Sequence, residues 1–193
     1  MDLHSLIQSG SYTAIFLLMI ANGIVNFPSS QILYLIVGYF VGSGQLSFSH
    51  AVIVGALGNT IGNIIAYMLV KKYERPLARK LLMMDADTFD KVHSALRETF
   101  SKRGIWWLFI GKLTPSVKAF IPVLAGMSRT GTNVTSCIFL EASFVWAFAI
   151  IYIGKTFGEH VSLSSFLAVS LVIGLSIVFV LYRNISKKLS NTR

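Results

Sequence analysis

An apolar stretch over residues 105–127 carries two lysines, Lys112 and Lys118, which lie three residues before and three residues after Pro115. A lysine at the centre of a bilayer costs roughly 2.5–3.5 kcal/mol on insertion scales. Proline also removes a backbone hydrogen bond from a helix and breaks it. A chain with such a segment needs a fold that shelters both the break and the charges, so this segment is the candidate functional site.

The rest of the sequence is too apolar and too poor in charge for an ordinary soluble domain. Mean hydropathy is +0.67, 54% of the residues are hydrophobic and 13% are charged, against about 25% charged residues in soluble domains. We therefore predict one all-α integral membrane domain over residues 1–193. The single cysteine excludes an internal disulfide. The net charge of +9 follows from basic loops and does not indicate nucleic-acid binding. No metal and no cofactor are expected.

Two apolar blocks are broken in the middle. Residues 12–41 contain a polar notch that includes Pro28, and residues 105–127 contain Pro115. The halves of the first block are shorter than the roughly 20 residues that a membrane-spanning helix needs. We predict that each block forms a re-entrant helical hairpin, which enters the membrane and returns to the same side, with its tip at the proline.

Three other blocks are long enough for one transmembrane helix each: residues 50–70, 134–156 and 161–182. Basic residues are concentrated in residues 71–103 and in the C-terminal tail, so both are expected in the cytoplasm. The connection at residues 41–49 has no lysine or arginine and is expected outside. An arrangement of three membrane-spanning helices and two opposed hairpins satisfies these orientations. An arrangement of six membrane-spanning helices would include two helices that are too short to cross the membrane.

The two halves of the chain share a pattern, which predicts an inverted repeat over residues 11–70 and 104–157. In each half a proline is followed three residues later by a polar side chain, then by a glycine and a tyrosine; the two sets are Pro28, Gln31, Gly38 and Tyr67, and Pro115, Lys118, Gly126 and Tyr152. Inverted repeats whose broken helices meet at the midplane are a transporter architecture.

Residues 71–103 are predicted to include an amphipathic cytoplasmic helix. An acidic first turn at Asp87 and Asp90 is typical of a helix N-terminus. One apolar stripe follows, made of Phe89, Val92, Leu96 and Phe100. The stripe either lies on an anionic leaflet or packs against the protein, and both alternatives stay open.

Lys112 and Lys118 would point about 120° apart on an unbroken helix. A break at Pro115 removes this restriction, and Thr114 and Ser116 then offer hydroxyl donors beside the break. Two ammonium groups and two hydroxyls suit a phosphate or a carboxylate. The alternative is that each lysine extends towards the nearer membrane surface without a ligand.

Glu141 is the one carboxylate within a predicted span, and a buried carboxylate is either paired or protonated. We predict that it pairs with Lys112 or Lys118 while no anion is bound. It could instead carry a coupling proton, or lie hydrated near the cytoplasmic end of its helix. Gln31 occupies the position that matches Lys118, so we assign it to the same site, while Asn59 is expected to serve helix packing.

Three segments carry a further pattern: Phe27-Pro-Ser-Ser-Gln31 through Gly38, Gly58-Asn-Thr-Ile-Gly62-Asn63 through Tyr67, and Phe109-Ile-Gly-Lys112-Leu-Thr-Pro115-Ser-Val-Lys118 through Ala125-Gly-Met127. With Trp146 and Gly154 downstream, the sequence resembles the DedA family of membrane proteins, whose core is also called the VTT or SNARE-associated domain. The resemblance covers about residues 15–159. It implies two opposed re-entrant hairpins and lipid translocation, since family members flip or scramble phospholipids or recycle undecaprenyl phosphate.

Four positions depart from the family pattern. The family usually has arginine at Lys112 and Lys118, glutamate at Gln31 and often aspartate at Asn63. Lysine keeps the charge but loses bidentate recognition of phosphate. Proton coupling has been associated with family acidic residues, so the two amides put coupling through their positions in doubt. Glu141 stands where the family commonly has a neutral residue and is a candidate for that role.

The expected function is that of a transporter or flippase, which moves an anionic lipid headgroup such as undecaprenyl phosphate or a phospholipid between leaflets. Membrane lipids are the expected partners, with protons and further copies of the chain as possible ones. The expected location is a bacterial plasma membrane, with the C-terminus in the cytoplasm. A proton- or ion-coupled exchanger of small solutes and a non-transporting membrane scaffold are the alternatives. An enzyme is not expected, because no plausible nucleophile–base set is present.

Overall fold

The computed structural model describes residues 3–26, 29–82, 85–103, 106–114, 117–128 and 130–160, and every regular element within these ranges is a helix. In chain order the helices are α1 (Leu3–Val25), α2 (Ser30–Gly42), α3 (Phe48–Leu82), α4 (Ala86–Arg103), α5 (Trp106–Leu113), α6 (Ile121–Met127) and α7 (Thr132–His160). The predicted C-terminal span at residues 161–182 lies outside the described residues, as do Pro28, Pro115 and Ser116.

Two helices of the described part, α3 and α7, are long and apolar enough to cross a membrane. They have 35 and 29 residues, against the roughly 20 that a span needs. They include the predicted spans at residues 50–70 and 134–156. The prediction of an all-α fold is thereby confirmed for the described residues, with α3 and α7 as two candidate membrane-spanning helices.

Helix α3 contains a break at Glu74, beyond its apolar part. Glu74 has φ 50° and ψ −139°, a conformation that side chains with a Cβ rarely adopt. The helix restarts directly afterwards, so Pro76 lies in a first turn, where a missing backbone N–H removes no helical hydrogen bond. The break therefore separates the apolar part of α3, a candidate membrane-spanning helix, from the residues that follow Glu74.

Replacing Glu74 with glycine should stabilise the protein, because glycine adopts positive φ without steric cost. We expect the free energy of unfolding to rise by about 1 kcal/mol, measured by thermal unfolding in detergent. The matched control is Glu98→Gly in α4, where glycine within a helix should lower stability by about 1 kcal/mol. Equal effects of the two substitutions would contradict a strained break at Glu74.

The first broken segment forms α1 and α2. Asn26 ends α1 with φ 55°, and its backbone N–H donates to the Asn22 carbonyl at 2.7 Å. Asparagine is one of the few residues that tolerate this left-handed conformation, so the sequence ends the helix here. Helix α1 begins at Leu3, earlier than the predicted start of the hairpin at residue 12.

The second broken segment forms the short helices α5 and α6. The Thr114 carbonyl accepts hydrogen bonds from the backbone N–H groups of Val117, at 3.0 Å, and Lys118, at 2.9 Å. This turn closes directly after α5 and brings Lys118 to the start of α6. Lys112 and Lys118 therefore do not lie on one continuous helix.

The two helices of each broken segment pack against different long helices, one against α3 and the other against α7. Helix α1 packs along α3 and α2 along α7, while α5 contacts α7 and α6 contacts α3. Glycines permit the closest crossings. A Cβ added at Gly23 would lie 2.7 Å from the Cα of Gly62, and one added at Gly38 would lie 2.8 Å from the Cα of Gly154. The backbones of α1 and α3, and of α2 and α7, are therefore in direct contact.

The turn between α6 and α7 is fastened to α3 by a polar cluster. The Tyr67 hydroxyl donates to the Thr130 carbonyl at 2.6 Å, and the Lys71 ammonium donates to the Tyr67 oxygen at 2.9 Å. Lys71 also reaches the Thr132 hydroxyl at 3.3 Å. Hydrogen bonds to α3 therefore fix the C-terminal end of the second broken segment, in addition to the hydrogen-bonded turn at its break.

Helix α4 begins at Ala86, one residue before the predicted acidic cap at Asp87. The Asp85 carboxylate accepts a hydrogen bond from the Thr88 backbone N–H at 3.0 Å, which lowers the pKa of Asp85. Phe89 is 2% exposed and packs with Val70, Ala78 and Val123. This first residue of the predicted apolar stripe faces the protein; the other three side chains of the stripe lie outside the described part.

Candidate functional site

Lys112 lies in the last turn of α5 and is buried, with 7% of its surface exposed. Its ammonium group donates a hydrogen bond to Asn63 Oδ1 on α3 at 2.6 Å and lies 5.4 Å from the centre of the Phe139 ring. Both contacts favour the positively charged form of the lysine. Neither contact carries a negative charge that would neutralise it. The Lys112 charge is therefore held beside α3 by a neutral amide oxygen.

Lys118 joins the two helix breaks. Its ammonium group donates to Gln31 Oε1 at 3.1 Å and to the Ser30 hydroxyl, both in the first turn of α2. It also lies 5.1 Å from the centre of the Trp146 ring on α7. A second link between the breaks runs from the Asn26 amide to the Ala119 carbonyl at 3.4 Å. The ends of the two broken segments thus meet at Lys118.

A chain of amides connects the lysine contacts with α1 and α7. Asn59 Nδ2 donates to Asn22 Oδ1 at 3.0 Å, while Asn63 Nδ2 and the Ser143 hydroxyl donate to Asn59 Oδ1 at 2.9 and 3.1 Å. Asn22, Asn63 and Ser143 are each less than 5% exposed. Buried polar groups are costly unless they are hydrogen-bonded, and this chain satisfies them through one central amide, Asn59.

These polar groups surround one cleft that contains both lysines. Its lining comes from α1, α3, α5, α7 and the turn before α6, and consists of Asn22, Asn26, Asn59, Lys112, Lys118, Ala142, Ser143 and Trp146. The non-atom space in and around the cleft is about 280 Å³, counting the open space at its mouth, while the enclosed part is about the size of a single water molecule. A larger group therefore has to sit at the mouth or widen the cleft.

Two of the predicted site residues lie apart from this cleft. Thr114 donates its hydroxyl to the Ile110 carbonyl within its own helix, at 2.9 Å, so it does not offer that donor to a ligand. Glu141 is exposed on α7, although the next two residues, Ala142 and Ser143, line the cleft. The predicted pairing of Glu141 with a lysine is therefore absent here, because its side chain projects from a different face of α7.

Gln31, which the comparison of the two halves matches with Lys118, accepts a hydrogen bond from the Lys118 ammonium group. Asn22, Asn26, Ser30 and Ser143 are absent from the sequence-based assignment. A signal for part of this set exists, because Asn22 and Asn26, and likewise Asn59 and Asn63, are spaced four residues apart in apolar segments. That spacing places both members of a pair on one helix face. Ser30 and Ser143 carry no comparable signal.

The site lies within a recognisable domain. A VTT domain matches residues 15–156. No solved structure matches the chain.

Several bacterial membrane proteins are similar over most of the chain. An uncharacterized membrane protein of Bacillus subtilis, YbfM, is 26% identical over 79% of this chain and 94% of its own length. The Staphylococcus aureus protein named undecaprenyl phosphate transporter A is 22% identical over 77% of this chain and 74% of its own length. A Bacillus subtilis protein of the same name is 28% identical over 68% of this chain and 66% of its own length.

The VTT domain match extends from α1 to α7 and includes both lysines, the amide chain and both helix breaks. The predicted resemblance is confirmed, and the chain belongs to the VTT domain family, that is, to the DedA family of membrane proteins.

Proposed function

We propose that this protein moves lipids with an anionic phosphate headgroup between the two leaflets, and that Lys112 and Lys118 bind the headgroup. The observation that carries the proposal is the presence of two ammonium groups in one cleft, where their hydrogen-bond acceptors are Asn63, Gln31 and Ser30, all neutral. Charges inside a membrane protein are costly unless they are paired. A phosphate supplies the missing negative charge and several acceptor oxygens.

The membrane arrangement that we propose has two re-entrant segments. Helices α5 and α6 have 8 and 7 residues, which corresponds to lengths of about 12 and 10 Å. The hydrocarbon core of a bilayer is about 30 Å thick. Helix α2, with 13 residues, is also too short to cross it. Breaks at such depth are tolerated where they face protein or a water-filled cavity, and the polar cleft provides that setting.

We further propose that the two halves form an inverted repeat. The helix pairing supports it: each broken segment places its first helix on the span of its own half and its second helix on the span of the other half. The matching glycines support it too. A Cβ at Gly126 would lie 2.8 Å from the Tyr67 carbonyl on α3, and one at Gly38 would meet the Ile151 carbonyl on α7. Lys118 and Gln31, equivalent by the repeat, touch each other.

In this arrangement the headgroup occupies the cleft while the apolar tail stays in lipid. Amide groups such as those of Asn22 and Asn59 replace water around the phosphate, and Ser116 is a further candidate donor next to Pro115. Two relatives named undecaprenyl phosphate transporter A support a lipid phosphate as substrate. The charge distribution and the bacterial relatives support a plasma-membrane location with a cytoplasmic C-terminus.

Lipid movement in proteoliposomes tests the proposal. Fluorescent phosphatidylglycerol and phosphatidic acid represent a phosphodiester and a phosphomonoester, and a membrane-impermeant quencher reports how much of each probe reaches the outer leaflet. We expect the wild type to move at least one probe, and the Lys112→Ala/Lys118→Ala variant to be at least tenfold slower, because the cleft then has no positive charge.

The matched control is Lys72→Ala/Lys91→Ala, which removes two exposed lysines and should leave the rate within twofold of the wild type. Monodisperse elution in detergent verifies that each variant is folded. Equal rates for the wild type and the Lys112→Ala/Lys118→Ala variant would overturn the proposed function, as would ion flux without any lipid movement.

A further inference from the structure

Both lysines of the cleft hydrogen-bond to oxygens that do not titrate. Lys112 donates to Asn63 Oδ1 at 2.6 Å, and Lys118 donates to Gln31 Oε1 at 3.1 Å and to the Ser30 hydroxyl. Amides stay neutral at every physiological pH. Each contact therefore orients an ammonium group without cancelling its charge.

Each of these two amide groups makes a further hydrogen bond, which fixes the orientation of its oxygen. Asn63 Nδ2 donates to the backbone and side-chain oxygens of Asn59, at 2.7 and 2.9 Å, which leaves Asn63 Oδ1 for Lys112. Gln31 Oε1 also accepts a hydrogen bond from the Ser29 hydroxyl at 2.6 Å. Both amides are thus positioned as acceptors for a lysine, where a carboxylate would form an ion pair.

The carboxylates of the described residues lie outside the cleft. The chain has eight carboxylates, at positions 2, 74, 85, 87, 90, 98, 141 and 159. Glu159 Oε1 lies 3.5 Å from Lys155 Nζ, with which it forms an ion pair. Glu141 is exposed on α7. None of the seven within the described residues lines the cleft, and among the described residues its only charged or titratable side chains are Lys112 and Lys118. The eighth belongs to Asp2, which precedes the described residues.

We propose that the bound anion is the sole counter-charge of the two lysines, so that the headgroup moves down its own electrochemical gradient without a coupled proton. Where a carboxylate pairs with a lysine, an anion has to displace it, and protonation of that carboxylate controls release. Here the lysine partners keep the same charge throughout a cycle. Asn63 and Gln31 act as positioning residues that keep the cleft positively charged.

This inference rests on the proposed function and is tested with whichever lipid probe the wild type moves. Proteoliposomes are prepared with the membrane potential clamped at zero by K⁺ and valinomycin. They carry no pH gradient, or a gradient between pH 7.5 and 8.5 in either direction. We expect the three initial rates to agree within twofold and, without a pH gradient, the probe to reach equal distribution between leaflets.

Carboxylate variants test the role of the two amides directly. Gln31→Glu and Asn63→Asp should each lower the rate at pH 8 at least fivefold, because the new carboxylate pairs with a lysine. The rate should recover at pH 6 as that carboxylate takes up a proton. Each variant is compared with the wild type at the same pH, which cancels the titration of the probe itself. Asn133→Asp, at an exposed position on α7, is the matched control. It should leave the rate of lipid movement equal to that of the wild type at both pH values.

The outcomes separate this inference from the proposed function. A wild-type rate that changes fivefold or more with the direction of the gradient would overturn uncoupled movement, while lipid transport itself would stand. Loss of such a response in Glu141→Gln would assign the proton to Glu141. Rates of Gln31→Glu and Asn63→Asp that equal the wild type at pH 8 would also overturn the inference. Absence of lipid movement by the wild type would instead remove the proposed function.

Discussion

Gly62→Ala should destabilise the protein by about 2–3 kcal/mol, which is the usual cost of overpacking a tight interface. The added Cβ would lie 2.8 Å from the Cα of Gly23 and would also meet the Ile20 carbonyl. These are backbone atoms, so no side chain can rotate to make room, and α1 has to move away from α3. Thermal unfolding in detergent measures the loss, and lipid movement should fall with it because Asn22 and Asn59 separate.

The matched control for this substitution is Gly10→Ala. Gly10 also lies within a helix, and nothing lies within 4 Å of a Cβ added there. Alanine favours helix formation over glycine by about 1 kcal/mol, so this variant should be unchanged or more stable. A Gly62→Ala protein as stable as Gly10→Ala would show that α1 and α3 are not in backbone contact.

Asn59→Leu should have the next largest effect, because Asn59 is the centre of the amide chain. The substitution keeps a similar volume but removes a hydrogen-bond partner of Asn22 Oδ1 and of the Ser143 hydroxyl, and one of the two acceptors of Asn63 Nδ2. A buried polar group that loses its partner costs about 1–3 kcal/mol, so we expect a total loss of about 3 kcal/mol. Asn63 also loses a contact that orients it towards Lys112, and lipid movement should fall at least fivefold.

Asn133→Leu provides the comparison, since Asn133 is exposed at the start of α7. Such a surface substitution usually changes stability by less than about 0.5 kcal/mol. Both variants are measured by thermal unfolding and by probe movement in proteoliposomes. Wild-type stability and transport in Asn59→Leu would contradict the structural importance of the amide chain.

Much of the fold follows from features that act along the chain. Apolar length indicates the helices α3 and α7, and the polar notch and Pro115 indicate where the other two apolar blocks are interrupted. The assignment of Gln31 and Lys118 to one site follows from the sequence, because both residues follow a proline by three positions, and their side chains are hydrogen-bonded in the structure. These signals are local, or depend on the comparison of two short segments.

The sequence does not fix how each helix is rotated about its axis or where two helices cross. Glu141 and Ser143 are two residues apart on α7, yet Ser143 enters the cleft and Glu141 is exposed. Which face turns inward depends on the glycine crossings with α2. The position of Thr114 beside Pro115 predicts a ligand contact, whereas its hydroxyl donates to a carbonyl of the preceding helical turn, a common alternative for threonine in helices.

The division of each broken segment between two spans has a consequence for biosynthesis. The glycine face of α2 at Gly38 is covered by α7 at Gly154, and these residues are 154 − 38 = 116 positions apart. At roughly 5–20 residues per second, the ribosome makes the covering helix about 6–23 s after α2. During that interval α2, too short to cross the bilayer, has no lasting partner on this face. Completion of α7 is therefore the step at which the first half of the protein can assume its final packing, and a chain truncated before α7 should be a substrate for membrane proteases.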